Sequence, residues 1–123
     1  MKKILVVDDE SGIRKLVKST LKSEEYQILQ AECGQKAVDI AREENLDLIL
    51  MDIMMPGDID GLEATRILKH DSKTKCCPII ILSAKGQVED LAKGRQAGAD
   101  EYFAKPFSPL ALVKKVQEVL GRG

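Results

Sequence analysis

Asp8, Asp9, Asp52, Ser83 and Lys105 are the side chains of this sequence that could do chemistry together. Each closes a short strand-like run: Lys3 to Val7 leads into Asp8-Asp9, Leu46 to Met51 into Asp52, Ile79 to Leu82 into Ser83, and Glu101 to Ala104 into Lys105. In a parallel sheet the carboxyl ends of all strands share one edge, and neighbouring strands lie about 4.8 Å apart. With the first, third, fourth and fifth runs side by side, three carboxylates meet at one point, with a hydroxyl one strand away. Lys105 then starts about 10 Å from Asp52, and its flexible stem can bring the ammonium back. Three crowded carboxylates repel one another, and a hard divalent cation with oxygen ligands relieves that repulsion. Magnesium suits such a site, because it takes one or two carboxylates plus waters and phosphate oxygens. Metal, ammonium and hydroxyl together outline a phosphate-sized hole. The reaction class this suggests is phosphoryl transfer, for which a carboxylate is a plausible covalent acceptor.

The elements that must position these residues are legible from periodicity. Ile13, Leu16, Val17, Thr20 and Leu21 recur at helical spacing after the first run. Tyr26 to Ala31 reads as a second strand, and Ala37, Val38 and Ala41 as the stripe of a helix ending near Asn45. After Leu46–Met51, a loop with Pro56 and Gly57 leads to a helix carrying Leu62, Thr65, Ile67 and Leu68. Pro78 opens the fourth strand, a helix of weaker period spans Val88 to Ala97, and Gly98 ends it. Ser108 and Pro109 start a last helix with Leu110, Val113, Val116 and Leu120 as its stripe. Strand–helix units in alternation, with strands apolar on both sides, predict a doubly wound parallel α/β sheet, and the length excludes an eight-unit barrel.

At 123 residues the chain is expected to form a single domain spanning 1–123. With 19 basic against 20 acidic residues, the formal charge is −1, which argues against a bulk electrostatic grip on nucleic acid or anionic membrane. The apolar run after Lys2-Lys3 is too short for a signal peptide or a membrane span. Three cysteines make no disulfide framework or zinc pattern, so a reducing, cytoplasmic setting is expected, with adjacent Cys76 and Cys77 acting as small apolar residues entering a strand. His70, the one histidine, sits on a polar stretch and is read as solvent-facing.

Taken singly, each site residue has a plainer explanation. Asp8-Asp9 could help start the next helix, although Ser11 is a competent cap nearby; Asp52 could be a solvated loop acid and Lys105 a surface lysine. Those explanations must hold independently at four strand ends. Other chemistries lack their signatures. An aspartyl-phosphate phosphatase wants a second acid two residues after the nucleophile, where Met54 stands, and a hydrolase wants G-x-S-x-G. A nucleotide or flavin binder wants a glycine-rich phosphate loop or more than four aromatics.

Val6-Val7-Asp8-Asp9-Glu10, Leu50 to Gly57, Ile81-Leu82-Ser83-Ala84 and Lys105-Pro106-Phe107, in that order, resemble the receiver domain of bacterial two-component response regulators, including chemotaxis regulators. The resemblance covers essentially the whole chain. It implies a flavodoxin-like (βα)5 three-layer sandwich with strand order 2-1-3-4-5. Asp52 would take phosphate from a phosphohistidine on a sensor histidine kinase or histidine phosphotransfer protein. Asp9, Asp8 (partly through water), Asp52 and the Met54 backbone carbonyl would hold magnesium or manganese. Lys105 and Ser83 would bind the phosphoryl oxygens, with the Ala84 N–H as companion donor. Tyr102 would be the switch aromatic, and the Lys105–Pro106 bond would be cis.

The resemblance makes the chain a signalling phosphoprotein that assists its own phosphorylation and dephosphorylation rather than an enzyme. Phosphorylation would draw Ser83 inward, let Tyr102 fill the vacated space, and change the surface of the fourth helix, fifth strand and last helix. Met54 and Lys85 would flank the path of an attacking water. The signal would go to a downstream protein, to an output domain of the same chain, or onward along a phosphorelay; a dimer formed on phosphorylation is a further implication. The sequence, read as complete at Gly123, includes no output domain. Two features depart from the family pattern: the loop Pro56 to Gly61 is one residue longer than usual, and the segment Asp71 to Pro78 is long and polar, with no function assigned to it.

Overall fold

The computed structural model describes residues 1–84, 88–105 and 107–121. Five strands alternate with five helices: β1 (Lys2–Val7), α1 (Ser11–Thr20), β2 (Tyr26–Ala31), α2 (Gly34–Glu43), β3 (Leu48–Asp52), α3 (Gly61–His70), β4 (Ile79–Ala84), α4 (Val88–Ala97), β5 (Glu101–Lys105) and α5 (Pro109–Gly121). The sheet is wholly parallel, in the order β2-β1-β3-β4-β5. Fold and strand order are those expected from the sequence.

Side chains alternate between the faces of a strand, so each central strand supplies two cores. Leu5, Val7, Ile49, Met51, Ile79 and Ile81 face α2 and α3, where Ala37, Val38, Ala41, Ala64 and Leu68 cover them. Ile4, Val6, Leu48, Leu50, Ile80 and Leu82 face α1 and α5, under Val17, Leu21, Leu112, Val116 and Val119. Every residue of β3 is buried, whereas the outer strands β2 and β5 are mostly half-buried. A central strand covered on both faces must be apolar, which makes the acid closing β3 conspicuous.

The helix phases differ in detail from the sequence reading. On α5 the sheet-facing stripe is Leu112, Val116 and Val119, and Leu110 is exposed. Leu110 lies two residues before Leu112, about 200° round the helix at 100° per residue, so the two cannot share a face. Leu16, next to buried Val17, is also largely exposed. Strand β3 starts at Leu48 rather than Leu46, because Asp47 is bound to β1: its N–H donates to the Lys3 carbonyl at 2.8 Å and its Oδ2 accepts the Lys3 N–H at 2.8 Å. Ser11 is the first residue of α1 rather than its cap; Glu10 holds the cap position, without a side-chain hydrogen bond. At α5 the reading holds, with Ser108 Oγ accepting the Ala111 N–H at 3.0 Å ahead of Pro109.

Candidate functional site

The register brings the strand ends together. Val7 of β1 pairs with Met51 of β3, so Asp8 and Asp52, each one residue on, are neighbours. Asp52 pairs with Leu82 and Leu82 with Phe103, so Ser83 is one residue and Lys105 two residues beyond Asp52's level on β4 and β5. Ligand oxygens of Asp8, Asp9 and Asp52 all lie within 4.8 Å of one another. Asp8 is fully buried, Asp52 and Ser83 nearly so, and Asp9 is exposed.

Lys105 spans the sheet edge as its stem length allows. Its Nζ lies 2.7 Å from Asp8 Oδ2 and 3.1 Å from Asp52 Oδ1. The contact with Asp8, three strands away, goes beyond the sequence reading, which aims Lys105 at Asp52. Asp8 also serves the turn into α1, its Oδ1 accepting the Glu10 N–H at 2.9 Å. That bond serves the turn ahead of the helix and does not cap it, since Glu10 holds the cap position of α1.

Burial, followed by the charge of Asp8, pushes the Asp52 carboxyl up from 3.8 to about 6, even though Lys105 pulls the other way. Burial works against the Lys105 ammonium, but the hydrogen bond to Asp8 and the attraction of Asp52 outweigh it and raise the lysine. Among the described residues, the Lys105 ammonium faces a cluster of three carboxylates, of which Asp8 is fully buried and Asp52 nearly so. Hard oxygens in excess of the local positive charge fit a hard divalent cation. Asp8, Asp9 and Asp52 are the groups that could hold it.

Two residues not singled out in the sequence support the cluster. Arg14 Nη1 donates to the Asp8 carbonyl at 2.6 Å and its Nε to Gln30 Oε1 at 3.2 Å, tying the end of β1 to α1 and β2. Gly61 starts α3 against the backbone of Asp52: a Cβ there would stand 1.8 Å from the Asp52 carbonyl oxygen, so only glycine fits. A polar residue on an amphipathic helix and a glycine after an aspartate carry no sequence signal of either role.

The remaining predicted residues lie around this centre. Met54 follows two places after Asp52, with its side chain exposed. Ala84 ends β4, opposite Lys105 in register. Tyr102 packs against the α2–α3 core beside a cavity of about 260 Å³, lined also by Ile81, Gly94, Arg95 and Ala99. Its neighbour Phe103 packs into the opposite core and against Phe107, 5.7 Å between ring centres. Lys85 and the Pro106 peptide bond lie outside the described residues.

Comparison with known proteins agrees with this geometry. The family model described as the response regulator receiver domain matches residues 4–117. The transcriptional regulatory protein ResD of Bacillus subtilis is 47% identical over 98% of this chain and 48% of its own length; the chain spans about half the length of the curated relatives it matches. Among solved structures, chemotaxis protein CheY4 of Vibrio cholerae superposes with TM-score 0.89 at 34% identity, covering 97% of this chain and 98% of that one. The receiver domain of sensor histidine kinase PA1611 from Pseudomonas aeruginosa, solved with a magnesium ion coordinated in its active site cleft, gives 0.88 at 32% identity, covering 98% of each. No helix among the described residues is long and apolar enough to cross a membrane. The chain belongs to the response regulator receiver domain family, whose members are signalling domains.

Proposed function

We propose that residues 1–123 act as one cytoplasmic receiver unit that accepts a phosphoryl group on Asp52 from a phosphohistidine of a sensor histidine kinase or histidine phosphotransfer protein. The observation that carries this reading is a nearly buried Asp52, its carboxyl pushed up to about 6, sharing an edge with two further acids and one ammonium at 3.1 Å. A magnesium (or manganese) ion held by Asp8, Asp9, Asp52 and the Met54 carbonyl would neutralise the charge gathering on the phosphoryl oxygens.

The chain's own groups do the rest. At pH 7 a carboxyl with a pKa near 6 is mostly ionised and free to attack. An Asp52 oxygen bonds to phosphorus as the phosphorus–nitrogen bond breaks, and the imidazole leaves with the electron pair and takes up a proton. Lys105 exchanges part of its contact with Asp52 for the incoming oxygens, while Ser83 Oγ and the Ala84 N–H donate to them. Hydrolysis later returns Asp52, with Met54 and Lys85 flanking the water's approach. The phosphoryl group draws Ser83 toward it and Tyr102 turns inward, altering the α4–β5–α5 surface read by an output domain, a separate target protein or a second phosphorylated copy. Support for an output partner comes from relatives named as transcriptional regulators and about twice this length.

Incubation with magnesium and acetyl phosphate, followed by intact mass, tests this reading. Wild type should gain about 80 Da, the mass of a phosphoryl group, and Asp52→Asn should gain nothing. An adduct that survives Asp52→Asn would place the acceptor elsewhere. Tyr102→Ala should leave the adduct in place and blunt the response of partner binding to phosphorylation.

A further inference from the structure

The stretch that follows Asp52 is fastened on both sides of Met54. On one side Asp52 and buried Ile53 belong to the sheet edge, and the Gly61 N–H closes the loop by donating to the Ile53 carbonyl at 2.9 Å. On the other side Met55 and Ile59 pack against the α2–α3 core. Met54 itself is 78% exposed, so its side chain has little packing with which to hold its backbone. Its backbone is therefore held by its flanking anchors rather than by its own side chain.

The second anchor rests on α2. A Cβ placed on Gly34, the first residue of that helix, would stand 2.5 Å from the Ile59 carbonyl oxygen and 3.0 Å from Ile59 Cγ2. Loop backbone and helix backbone thus meet where no side chain intervenes. From there the chain turns into α3, with Asp60 Oδ1 accepting the Glu63 N–H at 2.8 Å and fixing the helix start. We propose that Ile59, seated on the bare backbone of Gly34, is a positioning residue that holds the Met54 carbonyl at the acidic cluster and so sets its affinity for a divalent cation. This rests on the reading of the site given above.

Gly34→Ala separates this role from ordinary packing. Its methyl would drive into a backbone carbonyl that has no rotamer to escape into, so the loop must shift, while alanine is the better helix former. Ile59→Ala leaves the backbone approach in place and removes the side chain, Cγ2 included, that packs on Gly34 and the α2–α3 core, and Ile59→Val keeps most of that packing. The measurement is the magnesium dissociation constant of the full chain by titration calorimetry, together with hydrogen exchange of the Gly61 amide. Gly34→Ala and Ile59→Ala should weaken magnesium about tenfold, in line with disturbing the outer supports of a metal ligand, and should speed exchange at Gly61. Ile59→Val should stay within about twofold of wild type on the same scale. Unchanged magnesium affinity in folded Gly34→Ala and Ile59→Ala would overturn the positioning role alone. A wild-type chain that bound no magnesium would overturn the metal reading, and this role with it.

Discussion

At the edge where the strands begin, Lys3 meets Glu44 at 3.1 Å, Lys2 approaches Asp47 at 4.0 Å, and Asp47 also holds the Lys3 backbone. Lys2, Glu44 and Asp47 border a cleft of about 330 Å³, larger than the cavity beside Tyr102. At the opposite edge Asp8, Asp52 and Lys105 are packed into a site where acids outnumber the ammonium that faces them. The same residue types occupy both edges of one sheet. At the first edge each charge named has an opposite in half-exposed surroundings, so water and ions can replace any partner. At the second, burial makes the imbalance costly and leaves it available to a metal and a phosphoryl group. The proposed phosphoacceptor site lies with the unbalanced buried charge and not with the larger hollow.

The sharpest way to break this contrast is Lys105→Ala. It leaves two buried carboxylates facing each other and removes the ammonium that contacts both. Phosphorylation should slow by about 10²- to 10³-fold, as when one preorganised charge partner is lost from a site. Stability should drop by about 3 kcal/mol, and millimolar magnesium should restore part of it. Acetyl phosphate kinetics and urea melts with and without magnesium measure both. A loss below about 0.5 kcal/mol would put this edge on the same footing as the other.

A smaller effect follows from the raised carboxyl of Asp52. A group that binds its proton more tightly folded than unfolded stabilises the fold while protonated, and that contribution is lost as pH rises through the folded value. The window runs from about 4 to about 6, given a shift from 3.8 to about 6. In metal-free buffer, Asp52→Asn should therefore match wild type below pH 4 and exceed it by about 2–3 kcal/mol above pH 6. Magnesium should narrow that gap, because it stabilises the ionised wild type. Chemical denaturation of both proteins across pH 3.5–7.5 checks the sign. A wild type more stable than Asp52→Asn at pH 7 without metal would mean that Lys105 overcompensates the burial.

What could be read from the sequence divides along a similar line. The parallel sheet was legible from the alternation of strands and helices, and the meeting of Asp8, Asp9 and Asp52 from the residue types that close those strands. The strand order, by contrast, came from the resemblance to receiver domains. Features fixed by helix phase or by backbone contact were not legible. Leu110 looks like a core residue by its type, but the buried stripe of α5 runs through Leu112, Val116 and Val119 and leaves it exposed. Arg14 and Gly61 act through the carbonyls of Asp8 and Asp52, and a carbonyl leaves no trace in residue type. The polar segment 71–78, without a role in the sequence reading, closes the end of α3: Lys69 Nζ donates to the Cys77 carbonyl at 2.8 Å and Thr74 Oγ1 to the Leu68 carbonyl at 2.7 Å. The reading of Cys76-Cys77 as small apolar residues fits Cys77, whose thiol burial pushes up to about 12, but Cys76 is exposed.

Near the edge where the strands begin, the largest single polar effect is expected at Thr74, since it is buried and serves a helix-end carbonyl. Thr74→Val keeps the shape and removes the hydroxyl, leaving the Leu68 carbonyl without that donor; the cost should be about 1–2 kcal/mol in a urea melt, with phosphorylation unchanged. Slowed phosphorylation in the folded variant would show that this end of α3 supports the site through Gly61 at its other end.

The smallest effect sharpens the comparison most directly, because it uses the same residue type as the first prediction. Lys3→Ala deletes an ammonium 3.1 Å from a carboxylate, the distance that separates Lys105 from Asp52. Side-chain exposure is 33% at Lys3 and 39% at Glu44, against 20% at Lys105 and 10% at Asp52. Water therefore solvates Glu44 once its partner is gone, and salt already screens the pair, so the loss should be about 0.5 kcal/mol and should fade in 1 M salt. The backbone bond from Lys3 N–H to Asp47 survives the substitution and holds β1 in place. Lys105 also pairs with Asp8 at 2.7 Å, so a second contact by itself accounts for about a twofold difference in cost. A sixfold difference would show that burial separates the two edges, and a difference of twofold or less would show that the number of contacts is enough.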